Sequence, residues 1–128
     1  MTVIVFAGGD PVPAEALSGL PLGAFVIAAD SGMDHARQAR VDVDLLVGDL
    51  DSISADARQR AEGAGASVER HPPDKDATDM ELALTAALRR GAERVIVIGG
   101  HGGRQDHYLA NAMLLSSPAL ADLDIEWR

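Results

Sequence analysis

The sequence contains no cysteine and very few aromatic residues. Its 128 residues include one Trp, one Tyr and two Phe. The absence of cysteine excludes disulfide bonds and thiol chemistry and fits a reducing compartment, so we expect a cytoplasmic protein. The scarcity of aromatic rings leaves few groups that could stack on a flat ligand. No apolar run approaches the roughly 20 residues that a membrane-spanning helix needs, so no membrane association is expected.

Positive charge is also scarce. The chain has 11 Lys and Arg against 20 Asp and Glu, which gives a formal net charge of −9. Because no basic stripe is present, we do not expect nucleic acid as a partner. Lys75 is the only lysine, and it lies between Asp74 and Asp76. A single lysine inside an acidic segment either offsets its neighbours or takes part in binding an anion.

Strand patterns alternate with helical patterns along the whole chain. Strands are predicted at Thr2–Ala7, Ala24–Ala29, Asp44–Val47, Ala66–Arg70, Arg94–Ile98 and Leu123–Trp127. Helices are predicted at Pro13–Leu17, Ser31–Ala39, Ser54–Glu62, Thr78–Arg90 and Arg104–Leu115. This alternation predicts one Rossmann-like α/β domain over residues 1–128, with three layers: a mostly parallel sheet of about six strands and helices on both faces. The last strand alternates as an edge strand would, so we expect Trp127 near a surface.

The segment Leu45–Ser52 carries the clearest chemical signal. Its apolar run ends at Gly48, and two carboxylates follow, Asp49 and Asp51. Two unit charges about 5 Å apart repel by roughly 3 kcal/mol at an effective dielectric of about 20. The pair therefore suggests a compensating cation, most simply Mg²⁺. The alternative is a solvated acidic turn in which Asp51 or Ser52 caps the next helix.

Polar or glycine-rich loops follow the other predicted strands. They are Gly8-Gly9, Asp30–Gly32, Asp74–Asp79 and Gly99–Asp106. Because ligands bind beyond the carboxyl ends of parallel strands, we expect these loops to share one edge of the sheet. The glycine-rich start of the last loop is a weak signal for phosphate binding.

Some of these residues also have purely structural interpretations. Thr78 and Glu81 fit a capping box, which explains both without any function. Asn111 either faces the site or caps a carbonyl. His71 and His107 are interpreted as hydrogen-bonded loop residues rather than metal ligands, because carboxylates already supply oxygen ligands.

Three motifs, in this order, resemble the thiamine pyrophosphokinase family: Gly48–Ser52, Asp74–Leu84 and Gly102–His107. The resemblance implies a thiamine diphosphokinase that transfers a diphosphate group from ATP to the hydroxyl of thiamine, giving thiamine diphosphate and AMP. It implies Mg²⁺ as cofactor and a homodimer. It covers the N-terminal catalytic domain only, so we expect the family's β-rich, thiamine-binding C-terminal domain to be absent. We therefore expect this chain alone to bind Mg-nucleotide and to convert thiamine slowly or not at all.

The resemblance also implies roles for individual residues. It implies that Asp49, Asp51 and Asp79 hold Mg²⁺, that Arg104 and Asp106 face the transferred group, and that Asp30, Ser31, Gly32 and Gly100 lie near the nucleotide. The loop pattern adds further candidates for nucleotide binding: Gly9, Ser52, Lys75, Thr78 and Asn111. Asp106 is assigned as the base that accepts the hydroxyl proton, and Asp76 is an equal candidate by spacing.

Two other functions fit parts of the sequence. The segment Leu46–Asp51 also resembles the nucleophile strand of a HAD-like aspartyl-phosphate phosphatase, in which one Asp attacks phosphorus. Against this, the segment lies on the third predicted strand and not on the first. The second alternative is a non-catalytic module that binds Mg-nucleotide.

Overall fold

The computed structural model describes residues 1–29, 32–49, 55–63, 65–71, 79–100 and 118–128. The strands are β1 (Thr2–Phe6), β2 (Phe25–Ala29), β3 (Leu45–Asp49), β4 (Ser67–His71), β5 (Arg94–Ile98) and β6 (Asp124–Trp127). The α-helices are α1 (Gly32–Gln38), α2 (Ala55–Gly63) and α3 (Asp79–Arg89), with short 3₁₀ helices at Ala14–Leu17 and Pro118–Leu120. None of the helices in these ranges is long and apolar enough to cross a membrane.

The six strands form one sheet in which every pairing is parallel. The strand order is β4-β3-β2-β1-β5-β6. The chain adds β2, β3 and β4 on one side of β1, and it then returns through α3 to add β5 on the other side. The sequence prediction of a parallel α/β sheet is confirmed, and β1 and β5 flank the point at which the strand order reverses.

The sheet separates two apolar cores. Val3, Val5 and Val97 contribute to the core beneath α3, whereas Ile4 and Ile98 contribute to the core beneath α1 and α2. Successive strand residues point to opposite faces, so a strand covered on both faces must be apolar throughout. The central strands are indeed almost completely buried, and this arrangement confirms the predicted three layers.

The structure corrects several predicted boundaries. Strand β3 continues to Asp49, two residues beyond its predicted end. The segment predicted as a helix at Pro13–Leu17 is a single 3₁₀ turn. Leu88 of α3 is 42% exposed, because the buried face of this helix is centred on Ala83 and Ala87. The predicted helix Arg104–Leu115 lies outside the described residues.

Helix α1 approaches the sheet so closely that only glycine fits at its first residue. A Cβ atom built on Gly32 would overlap the carbonyl group of Phe6 in β1. A backbone carbonyl cannot move aside as a flexible side chain would. The closeness of α1 to the end of β1 therefore depends on Gly32.

We expect Gly32→Ala to lower the free energy of unfolding by about 2 kcal/mol, the usual cost of overpacking a tight contact. The matched control is Gly63→Ala in α2, where an added Cβ meets nothing within 4 Å. That control should be neutral or slightly stabilising, since alanine is the better helix former. Urea unfolding of both variants measures the difference. Equal stability of the two variants would contradict the close packing of α1 on β1.

Candidate functional site

The carboxyl ends of all six strands lie at one edge of the sheet. Because every pairing is parallel, the last residues of β1, β3 and β5 share this edge. In open parallel sheets, ligands bind in the crevice beyond this edge, at the point where the strand order reverses. The ends of β1 and β5 therefore define the candidate site.

The chain leaves β1 and β5 as two glycine-containing turns that are bonded to each other. The amide of Ala7 donates to the carbonyl of Ile98 at 2.8 Å and extends the ladder. The amide of Gly100 donates to the carbonyl of Gly8 at 2.6 Å. Gly9, Gly99 and Gly100 all have positive φ values, of 102°, 93° and 79°. The backbone therefore forms the surface of the crevice at this point.

Gly99 is confined from two directions. An added Cβ would overlap the carbonyl oxygen of Ala7 and would lie 3.0 Å from Nδ1 of His35. Together with the positive φ, this leaves no room for a side chain. The turn after β5 can therefore hold its position only with glycine at this residue.

His35 links helix α1 to the turns after β1 and β5. Its side chain is buried, and its Nδ1 lies 2.8 Å from the carbonyl oxygen of Ala7. A carbonyl oxygen only accepts, so Nδ1 carries the proton and donates it. Sequence analysis did not identify His35, because one polar residue in a short helix gives no signal of its tertiary partner.

Trp127 reaches the site from the outer strand. Its indole Nε1 donates to the carbonyl oxygen of Gly99 at 2.7 Å. The ring is half-buried and packs against the core beneath α3. The prediction that β6 is an edge strand is confirmed. The expected surface position of Trp127 is only partly right, because its polar atom points inward to the β5 turn.

The acidic candidates lie further along the same edge. Asp49 is the last residue of β3, opposite His71 of β4, and Asp79 is the first residue of α3. Their backbone positions agree with the predicted alternation, and their roles stay predictions. Within the described ranges, no group of three or more His, Asp or Glu could hold a metal ion.

Four of the predicted nucleotide and metal residues lie among the described residues: Gly9, Gly32, Asp49 and Gly100. Asp79 joins them at the start of α3. The other predicted site residues lie outside the described residues: Asp30, Ser31, Asp51, Ser52, Lys75, Asp76, Thr78, Arg104, Asp106 and Asn111. The roles assigned to both groups are predictions.

The opposite edge of the sheet carries an open hollow of about 660 Å³, whose lining includes Leu22, Phe25 and Asp44. Its carboxylate is already engaged, because Asp44 accepts a hydrogen bond from the amide of Val26 at 2.9 Å. The ring of Phe25 is covered by the guanidinium of Arg90 at 4.2 Å. This hollow lies at the amino ends of the strands, away from the point where the strand order reverses.

Comparison with known proteins gives consistent results. Residues 22–126 match the family described as thiamin pyrophosphokinase, catalytic domain. The chain is 35% identical over 88 residues to thiamine pyrophosphokinase of Bacillus subtilis (strain 168), which covers 66% of this chain and 41% of that protein. It is 31% identical over 88 residues to thiamine pyrophosphokinase 1 of Oryza sativa subsp. japonica, which covers 64% of this chain and 33% of that protein.

The fold is similar to a solved structure along its full length. The crystal structure of thiamine pyrophosphokinase from Bacillus subtilis superposes with a TM-score of 0.80 at 31% identity, covering 100% of this chain and 60% of that chain. In the two sequence comparisons, the matched region covers 41% and 33% of the relatives, which is less than half of their length.

Proposed function

The chain belongs to the thiamin pyrophosphokinase family through its catalytic domain, and from this we propose that it transfers a diphosphate group from ATP to the hydroxyl of thiamine. The products would be thiamine diphosphate and AMP. The family membership, which the sequence motifs predicted, is confirmed by the match over residues 22–126. Because the chain spans less than two thirds of its relatives, the complete reaction is a proposal for this chain.

The crevice between β1 and β5 is the observation that best supports this function. Its turns contain Gly9, Gly99 and Gly100, which carry no side chains, and the Gly100 amide donates to the Gly8 carbonyl at 2.6 Å. Backbone amides in turns with positive φ suit the oxygens of a phosphate chain. We therefore assign Gly9, Gly32 and Gly100 to the nucleotide side of the site.

The reaction asks the protein mainly for positioning and charge neutralisation. The hydroxyl oxygen of thiamine attacks the β-phosphorus of ATP, and the bond from that phosphorus to the bridging oxygen of the α-phosphate breaks. AMP leaves with the bridging oxygen. The hydroxyl proton passes to a carboxylate, which we assign to Asp106 with Asp76 as the alternative. Arg104 and Lys75 would offset the phosphate charge.

The carboxylate-rich edge fits Mg²⁺ by its donor chemistry, because Mg²⁺ prefers oxygen ligands. Asp49 is the last residue of β3 and Asp79 the first residue of α3, so both would supply such donors from the carboxyl edge of the sheet. We propose that they hold the ion together with Asp51. When bound, Mg²⁺ would neutralise charge on the phosphate oxygens.

The oligomeric state, the location and the partners of the protein are also proposals. We expect a homodimer, a cytoplasmic location and no nucleic-acid partner, as the sequence predicts. We also retain residues 1–128 as one catalytic, ATP-binding domain.

The phosphatase alternative receives little support. Its nucleophile would be Asp49 or Asp51, but Asp49 ends the third strand of the chain and not the first. The chain also belongs to a different family. A non-catalytic module that binds Mg-nucleotide differs from the proposed enzyme only in turnover, so an activity assay separates the two.

The proposed reaction is tested by measuring AMP, ADP, phosphate and thiamine diphosphate after incubation with Mg-ATP, with and without thiamine. We expect Mg-nucleotide binding and slow AMP release that requires thiamine, with one thiamine diphosphate formed for each AMP. Slow turnover is expected because the chain has few aromatic rings to hold thiamine. Phosphate release without thiamine, with covalent labelling of Asp49, would favour the phosphatase instead. Nucleotide binding with no AMP at any thiamine concentration would favour the binding module.

The metal assignment is tested by Asp49→Asn. We expect Mg-nucleotide affinity to fall by about tenfold or more, the order seen when a partner is removed from a metal site. The melting temperature without ligand should stay equal or rise, because one of two neighbouring like charges is removed. Asp122→Asn is the matched control, since this exposed carboxylate lies before β6 at the opposite edge. Calorimetric titration with Mg-ATP compares both variants, and equal affinity in the two would contradict the assignment.

A further inference from the structure

Trp127 lies beside the proposed nucleotide site and bonds the turn that follows β5. It belongs to β6, where it pairs with Val97, two residues before Gly99. Its Nε1 donates to the Gly99 carbonyl at 2.7 Å, and this bond is partly buried. An indole N–H can only donate, and a backbone carbonyl is a strong acceptor, so the pair is chemically matched.

The strand that carries Trp127 is itself fixed at its end. The amide of Arg128 donates to the carbonyl of Val97 at 2.8 Å. The guanidinium of Arg128 donates to the carbonyls of Ala16 and Ser18 at 3.1 and 2.9 Å. These bonds hold Arg128 against β5 and against the segment between β1 and β2. Because Arg128 directly follows Trp127, they also fix the backbone that carries the indole.

Gly99 is thus held on two sides. Its carbonyl accepts from the indole of Trp127, and its Cα faces the side chain of His35. His35, whose Nδ1 bonds Ala7 at 2.8 Å, lies 3.0 Å from where a Cβ of Gly99 would be. The next residue, Gly100, is bonded to Gly8 at 2.6 Å. Because glycine has the widest conformational freedom, a Gly-Gly turn keeps one geometry only when its surroundings impose it.

We propose that Trp127 is a positioning residue: its indole N–H fixes the orientation of the Gly99–Gly100 turn and so sets the direction in which this turn presents its backbone to a nucleotide phosphate. The consequence for nucleotide binding rests on the proposed function. The effect of Trp127 on the geometry of the turn does not depend on the proposed function. The effect on the turn and the effect on nucleotide binding are therefore measured in separate experiments.

Because Trp127 is the single tryptophan of the chain, replacing tryptophan with an analogue throughout the protein changes this residue alone. Global replacement of tryptophan by 3-benzothienylalanine keeps the ring shape and substitutes sulfur for the N–H group at this residue alone. Replacement by 7-azatryptophan retains the N–H donor and is the matched control. Trp127→Phe and Ile125→Val are genetically encoded counterparts. Trp127→Phe removes the donor, and Ile125→Val trims a neighbour on the same face of β6 without a polar loss.

Hydrogen exchange of the Gly100 amide, measured by NMR without ligand, tests the positioning. We expect exchange about fivefold faster with benzothienylalanine, the size expected for loss of one neutral hydrogen bond. Exchange at Ile4 in the centre of the sheet should be unchanged, as should exchange at Gly100 with 7-azatryptophan. Unchanged exchange at Gly100 with benzothienylalanine would overturn the proposal. Equal acceleration at Gly100 and Ile4 would also overturn it, because the indole would then only stabilise the fold.

Calorimetric titration with Mg-ATP tests the consequence for binding. We expect affinity to fall about fivefold with benzothienylalanine and with Trp127→Phe, and less than twofold with Ile125→Val. Unchanged affinity in the benzothienylalanine protein would overturn the link between Trp127 and the nucleotide. If the unmodified protein binds no Mg-ATP, the proposed function fails, and exchange at Gly100 alone then decides the role of Trp127.

Discussion

Three successive carbonyl groups at the end of β1 determine how the carboxyl edge of the sheet is built. The Phe6 carbonyl sets the closest approach of α1 through Gly32. The Ala7 carbonyl accepts from His35 of the same helix at 2.8 Å, and the Gly8 carbonyl accepts from Gly100 after β5 at 2.6 Å. The Ala7 and Gly8 contacts satisfy carbonyl groups that would otherwise need water, and together with the close contact at Phe6 they position helix, strand and turn. A shift of β1 by one residue would break all three contacts.

This arrangement is the reason why we propose the carboxyl edge of the sheet, and not the amino edge, as the phosphate site. At the amino edge, the carboxylate of Asp44, which lines the hollow beside Phe25, is already bonded to a backbone amide. At the carboxyl edge, two glycine turns are bonded to each other, and Asp49 and Asp79 lie along the same edge. The net charge of −9 would repel a polyphosphate, so a divalent cation and local backbone donors are needed to bind one.

Much of the fold could be predicted from the sequence, because strands buried on both faces are apolar throughout and end at glycine or charged residues. Strand β5 has its predicted bounds for this reason. The strand order could not be predicted, since periodicity identifies elements but not their neighbours. The edge location of Asp49 and Asp79 followed from the alternation of elements, and the family followed from three motifs. The contacts of His35 and Trp127 could not be predicted, because each depends on a partner far away in the sequence, at Ala7 and Gly99.

We propose that a nucleotide phosphate binds where β1 and β5 end. Mapping of backbone amide chemical shifts by NMR during titration with Mg²⁺ and a non-hydrolysable ATP analogue tests it most directly. We expect the largest changes at the amides of Gly8, Gly9, Gly99 and Gly100, with the amides of Leu22–Phe25 at the amino edge unchanged. Changes concentrated at Leu22–Phe25, with the glycine turns unaffected, would contradict it.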